Sequence, residues 1–182
     1  MPGSEGMPGD HAGGAAGGSP GGGSVSREWP GPGGGNGSGG AGAGNSGGGN
    51  GGGGNGGGGP GGEVYEWYRR GKALLDGGNA NAAVQVLGHA VAAEPGSRSA
   101  REALARAQFD SGQYLEARDS FAWIVARDPA DDYAQYGLGL AARRTGDLRS
   151  AVEHLALAVA MRPDLRHYSQ ALRGARAALA AS

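Results

Sequence analysis

The chain has 182 residues and a formal net charge of −1 at pH 7, with 16 basic against 17 acidic side chains. This balance argues against a surface devoted mainly to phosphate binding. The absence of cysteine excludes disulfides, thiolate zinc sites and cysteine nucleophiles.

The first 62 residues consist largely of glycine, alanine, asparagine, serine and proline. Of the 42 glycines in the chain, 32 precede Glu63, and large apolar side chains are almost missing from this segment. Such a composition cannot bury enough apolar surface to offset the entropy of ordering the backbone. We therefore predict a disordered, low-complexity tail over residues 1–62 and an ordered domain over residues 63–182.

No apolar run approaches the roughly 20 residues that a membrane-spanning helix needs. The N-terminus also lacks the basic region followed by an apolar region that marks a secretory signal. These features predict a soluble cytoplasmic protein that does not enter a membrane.

Three similar segments follow one another after the tail: "GGNANAAVQVL" at 77–87, "SGQYLEARDSF" at 111–121 and "TGDLRSAVEHL" at 145–155. Several residue types recur with the same 34-residue period, which chance would have to produce separately for each type. The recurring residues are Gly78, Gly112 and Gly146, then Ala83, Ala117 and Ala151, then Pro95, Pro129 and Pro163. We therefore divide the ordered part into repeats at 64–97, 98–131 and 132–165.

Each repeat is predicted to contain two helices separated by a glycine turn and followed by a proline. The recurring glycines can adopt the left-handed conformation that closes a helix, and the prolines stop the second helix. Ser97 and Asp131 stand where a helix N-cap is expected. Gly139 is predicted to face Ala151, so that two helix backbones approach closely, whereas Gly137 lies on another face and has no such explanation.

A last helix is predicted over residues 165–181. Its apolar residues fall on one side and its arginines lie off that stripe, as expected for a helix that covers the exposed end of a repeat stack. The apolar stripe comprises Leu165, Tyr168, Leu172, Ala175 and Leu179, and the arginines are Arg166, Arg173 and Arg176.

The pattern resembles the tetratricopeptide repeat (TPR) family. The first repeat matches at Trp67, Gly71, Ala83, Leu87 and Pro95, the second at Leu104, Ala117, Phe121 and Pro129, and the third at Leu138, Gly139, Ala151, Leu155 and Pro163. Arg101 and Gln135 depart from it by replacing the early tryptophan. The resemblance implies an all-α, right-handed solenoid of antiparallel helix pairs that acts as a non-catalytic scaffold or adaptor without a cofactor.

In this family the first helix of each pair lines the concave side. Helical spacing along those helices alternates aromatic side chains with long cations, a mixture that suits an extended peptide of a partner protein. The predicted groove residues are Tyr65, Tyr68, Lys72, Glu102, Arg106, Phe109, Tyr133, Tyr136, Leu140 and Arg143. The alternative is that these tyrosines pack neighbouring helices together.

Some chaperone-binding members of the family hold a C-terminal carboxylate with a clamp of lysine, asparagine and arginine. The corresponding positions here carry Tyr68, Lys72, Ala103, Tyr133 and Gly137, so a chaperone-tail function is disfavoured.

Two other functions stay open. His89, Trp123 and Leu157 are predicted to lie on the outer side and could form a second surface, for example in a homodimer. The alternative is that Trp123 folds over an adjacent helix and is mostly buried. The arginines of the C-terminal half could bind RNA, although interleaved acids make nucleic acid an improbable partner. The histidines show no ligand spacing, so no metal site is expected.

Overall fold

The computed structural model describes residues 60–182. The tail predicted to be disordered, residues 1–62, falls almost wholly outside this range. Within residues 60–182 the chain forms seven α-helices and no strand. They are α1 (Pro60–Asp76), α2 (Ala80–Ala93), α3 (Arg98–Asp110), α4 (Tyr114–Val125), α5 (Asp132–Arg144), α6 (Leu148–Met161) and α7 (Arg166–Ala180).

Tight glycine turns join the two helices of each repeat. Gly78, Gly112 and Gly146 have φ angles of 79°, 84° and 88°, which confirms the predicted left-handed conformation. Each turn also holds a backbone hydrogen bond that closes the preceding helix, such as the one from Asn79 N to Leu74 O at 2.8 Å. The result is three consecutive helix hairpins, α1–α2, α3–α4 and α5–α6.

The first helices of the hairpins form one continuous layer. Contacts join α1 to α3, α3 to α5 and α5 to α7. No pair of Cα atoms within 8 Å joins α2 to α4 or α4 to α6 among the described helices. The stack therefore curves with α1, α3 and α5 on the inner side, as predicted for an all-α solenoid.

Small residues on both helices of each hairpin allow close packing. Ala83, Ala117 and Ala151 are fully buried. At Gly139 the two helix backbones do approach closely, since a Cβ atom there would lie 2.6 Å from Cγ and 3.1 Å from the backbone N of Leu155, one turn beyond Ala151 on α6. Gly71 makes the same space for Leu87, with a separation of 2.4 Å.

Gly137, which the repeat pattern left unexplained, makes room for an aromatic ring of the preceding hairpin. A Cβ atom at this position would lie 2.4 Å from Cζ of Phe121, and Phe121 has no exposed surface. The interface between α4 and α5 therefore depends on a missing side chain at Gly137.

The predicted N-caps differ in their hydrogen bonds. Asp131 accepts a hydrogen bond from the backbone N of Ala134 at 3.1 Å and is also paired with Arg98. Ser97 occupies the N-cap position of α3, but its side chain forms no capping hydrogen bond. The contribution of a side-chain cap, typically about 1 kcal/mol, therefore applies to α5 and not to α3.

Helix α7 packs on α6 and α5 as the predicted cover of the last repeat. Tyr168, Leu172 and Ala175 are buried, whereas Leu165 and Leu179 are half-buried. The three arginines predicted to lie off this stripe are all exposed. The amphipathic pattern of α7 thus agrees with its position at the end of the stack.

Candidate peptide-binding groove

The predicted groove is most open on α1. Tyr65 is 61% exposed, and Tyr68 and Lys72 are half-buried. These three residues recur at intervals of three and four along the helix, so they follow one helical stripe. The inner layer therefore offers aromatic area and a cation at its N-terminal end.

Two of the predicted cations are linked through an acidic residue. Lys72 Nζ lies 3.2 Å from Asp76 Oδ2, and Arg106 Nη1 lies 3.9 Å from Asp76 Oδ1. Arg106 Nε lies 3.6 Å from Asp110 Oδ2. This cluster joins α1 to α3 and places both signs of charge among the predicted groove residues. Asp76 and Asp110 were missed in the sequence, although each lies four residues after a predicted cation, the spacing of helical ion pairs.

In the third repeat, helix α7 covers part of the predicted groove. The buried ring of Tyr136 stacks on Tyr168 of α7 with centroids 4.3 Å apart, and His167 meets it edge-on at 5.3 Å. Tyr168 Oη donates a hydrogen bond to Asp132 Oδ2 at 2.9 Å. Burial raises the pKa of Tyr136 to about 12, and burial together with Asp132 raises the pKa of Tyr168. Both hydroxyls therefore stay protonated at neutral pH.

The remaining predicted groove residues are distributed between packing and surface positions. Phe109 is buried against Tyr114, with centroids 5.2 Å apart, and Leu140 is also buried. Tyr133 is half-buried and meets Phe121 edge-on at 6.3 Å, and Glu102 is half-buried. Arg143 is exposed, and its guanidinium lies against Gly174 of α7.

The predicted second surface lies where the second helix of each hairpin ends. His89 is exposed and stands 6.0 Å from Trp67, measured between ring centroids. In the next hairpin, Arg101 stands at the position of Trp67, and Trp123 stands at the position of His89. The Arg101 and Trp123 side chains contact each other, so an aromatic ring is again paired across the two helices in this exchange of positions. Leu157 is 48% exposed at the equivalent position of α6. This exchange accounts for the departure from the family pattern at Arg101.

Gln135, the second departure, connects three segments through its buried amide. Its Nε2 donates a hydrogen bond to the Pro129 carbonyl at 2.9 Å, which leaves Oε1 to accept one from His154 Nδ1 at 2.8 Å. Burial lowers the pKa of His154. The structure thus places the half-buried ring of His154 in a hydrogen bond with α5.

We expect the pKa of His154 to make stability depend on pH. The unfolded chain binds a proton near the ordinary value of 6.5 before the folded chain does, so stability is lost as the pH falls below about 6.5. Replacing His154 with Gln should make this loss smaller. Denaturant unfolding between pH 7.5 and pH 5 measures it, and equal pH slopes for the two proteins would contradict the assignment.

Residues 60–182 contain no group of three or more histidine, aspartate or glutamate side chains that could hold a metal ion. None of the helices found in the same range combines the length and apolar character required to cross a bilayer.

The stacked hairpins, their period and their glycine turns define a helical-repeat solenoid. Residues 68–122 and 102–166 match the family described as tetratricopeptide repeat, and together these matches cover more than half of the 182 residues. The chain belongs to the tetratricopeptide repeat family. No curated protein matches the sequence.

Several solved structures share the fold. MamA (residue 41 to the end) from Desulfovibrio magneticus RS-1 is 28% identical with a TM-score of 0.61, and the match covers 63% of this chain and 64% of that one. The chain thus spans less than two thirds of MamA. The second TPR domain of human RPAP3, solved with the HSP70 peptide SGPTIEEVD, is 19% identical with a TM-score of 0.60, covering 65% of this chain and 98% of that domain. The Sgt2 TPR domain from Aspergillus fumigatus is 19% identical with a TM-score of 0.59, covering 64% and 79%.

Proposed function

We propose that the chain is a non-catalytic adaptor that holds an extended segment of a partner protein on its inner layer, chiefly along α1 and α3. The observation that carries the proposal is the open stripe of Tyr65, Tyr68 and Lys72 beside the charged cluster of Lys72, Asp76, Arg106 and Asp110. Tyrosine supplies contact area at a small entropic cost.

The charged cluster suits a peptide better than a uniformly anionic ligand. Its lysine and arginine can donate to backbone carbonyls or carboxylates, and its two aspartates can accept from backbone N–H groups. Asp76 and Lys72 are both partly exposed, and ion pairs of this kind contribute little stability. A peptide could therefore exchange places with one partner of a pair at a small cost.

The fold relatives support this class of function, but they do not identify the ligand of this chain. The RPAP3 domain holds an HSP70 peptide. This chain lacks the clamp residues that hold a chaperone tail, since Tyr68, Ala103 and Gly137 occupy three of the corresponding positions. We therefore propose a different peptide, contacted through the tyrosines of α1.

Affinity capture with the full chain tests the proposal. We expect the amount of partner captured to fall at least about tenfold when Tyr65→Ala is combined with Lys72→Ala, because both side chains lie on the open stripe. Leu115→Ser is the matched control, since Leu115 is 57% exposed on α4. Mass spectrometry identifies the partner, and calorimetry with its peptides measures affinity.

Equal capture by the unmodified protein, the double variant and Leu115→Ser would contradict the proposal that the partner binds along α1. Loss of the partner with Leu115→Ser alone would move the binding surface to α4. Circular dichroism melting of each variant verifies that the fold is retained.

A further inference from the structure

A cluster of one tryptophan and two arginines stands apart from the groove. Arg101 Cζ lies 4.5 Å and Arg127 Cζ lies 3.6 Å from the ring centroid of Trp123. Arg127 Nη1 also donates a hydrogen bond to the backbone carbonyl of Trp123 at 3.1 Å. Both cations are held against one indole ring by cation–π attraction. We call these three residues the Trp123 cluster.

The cluster lies at the edge of the stack formed by the loops between hairpins. Arg101 is in the first turn of α3, and Trp123 and Arg127 are in and just after the last turn of α4. Because α3 and α4 run in opposite directions, these ends meet on the side away from the turn at Gly112. The cluster is thus built from α3, α4 and the loop after α4, whereas the open stripe is built from α1.

No acidic side chain among the described residues balances the positive charge of the cluster through an ion pair. Among residues 60–182, no carboxylate forms an ion pair with Arg101 or Arg127, whereas the neighbouring Arg98 is paired with both Asp128 and Asp131. Nε of Arg101 is out of contact with water and has no hydrogen-bond acceptor. Burial and then the charge of Arg127 lower the pKa of Arg101. A ligand anion would relieve this repulsion.

We propose that the Trp123 cluster binds a carboxylate side chain in an acidic segment of a partner protein. A guanidinium group presents several N–H donors to a carboxylate, and the indole ring holds both guanidinium groups in place. The exposed Leu157 stands at the equivalent position of the next hairpin. We expect an apolar residue of the same segment to contact Leu157, one repeat further along the stack.

Charges around the cluster favour a protein ligand over a nucleic acid. Asp119 lies one helical turn before Trp123 and is 77% exposed, and Asp128 directly follows Arg127 and is 41% exposed. A strand with a phosphate at every nucleotide would pass these carboxylates and be repelled. A segment with one carboxylate at the cluster avoids them.

The experiment uses a capped synthetic peptide with a single glutamate among leucine and glycine residues, and the same peptide with glutamine in place of the glutamate. The full chain labelled with ¹⁵N contains three tryptophans, and Trp123→Phe identifies the indole N–H resonance of Trp123. We expect this resonance to shift saturably with the glutamate peptide and not with the glutamine peptide.

Variants locate the binding. Arg127→Gln changes an exposed side chain and should keep the fold. Arg101→Gln tests the half-buried arginine of the cluster. Each should weaken binding at least about tenfold, because hydrogen bonds to charged groups are the strong ones. Arg176→Gln is the control, an exposed arginine on α7, and should leave the affinity unchanged. The groove variant that combines Tyr65→Ala with Lys72→Ala should also leave it unchanged, which separates this inference from the proposed function.

Four outcomes would overturn the inference. They are an unshifted Trp123 resonance at millimolar peptide, equal binding of the glutamine peptide, equal weakening by Arg176→Gln, and tighter binding of a single-stranded oligonucleotide than of the peptide. Light scattering adds a fifth: a dimer that Arg127→Gln dissociates would make the occupant a second copy of this chain.

Discussion

Replacing Gly137 with Ala is expected to lower the free energy of unfolding by about 1–3 kcal/mol, the usual effect of overpacking a well-packed core. The added Cβ would lie 2.4 Å from Cζ and 2.5 Å from Cε1 of Phe121. The phenyl ring is fully buried, so it can move aside only by displacing its own neighbours. At a helix position with free space around the glycine, the same substitution would stabilise the protein, because alanine has the higher helix propensity.

Gly88 provides the matched control for this prediction. It lies within α2, and a Cβ atom there would meet nothing within 4 Å. Gly88→Ala should therefore raise the free energy of unfolding by roughly 0.5–1 kcal/mol, the ordinary difference in helix propensity. Urea unfolding curves of both variants decide the matter. A stabilised Gly137→Ala protein would mean that Phe121 does not pack against α5.

The second large effect is expected from Tyr168. Tyr168→Ala removes the ring that stacks on Tyr136 and the hydroxyl that donates to Asp132. Loss of a buried aromatic side chain typically lowers the free energy of unfolding by about 3–5 kcal/mol. The variant should also expose Tyr136, whose ring α7 now covers.

Tyr168→Phe separates the ring from its hydroxyl. It keeps the stacking and removes one hydrogen bond to a carboxylate, so we expect a loss of about 1 kcal/mol or somewhat more. Thermal unfolding followed by circular dichroism compares the two variants. If Tyr168→Ala were no worse than Tyr168→Phe, the packing of α7 on α5 would not stabilise the stack.

Features that depend on a residue's own backbone could be predicted from the sequence. Gly78, Gly112 and Gly146 recur because a left-handed residue is needed to close each first helix, and that requirement is local. The spacing of Tyr168, Leu172 and Ala175 likewise revealed the buried side of α7.

Features that depend on residues from different hairpins could not be predicted. Gly137 is explained only by the ring of Phe121, which lies in the preceding hairpin. Periodicity placed Tyr65 and Tyr136 in one stripe, yet α7 buries Tyr136 while Tyr65 stays exposed. Helical spacing identifies a shared face, and it does not tell which neighbour covers that face.

The order of contacts along the stack has a consequence for how the chain reaches its structure. Every pair of described helices in contact is separated by at most two positions in chain order. Closing such short loops costs little entropy, so folding can start in any hairpin and spread to its neighbours. Chains dominated by local contacts fold in microseconds to milliseconds. We expect rapid folding, with amide exchange fastest at the two ends of the stack and slowest in the α3–α5 region.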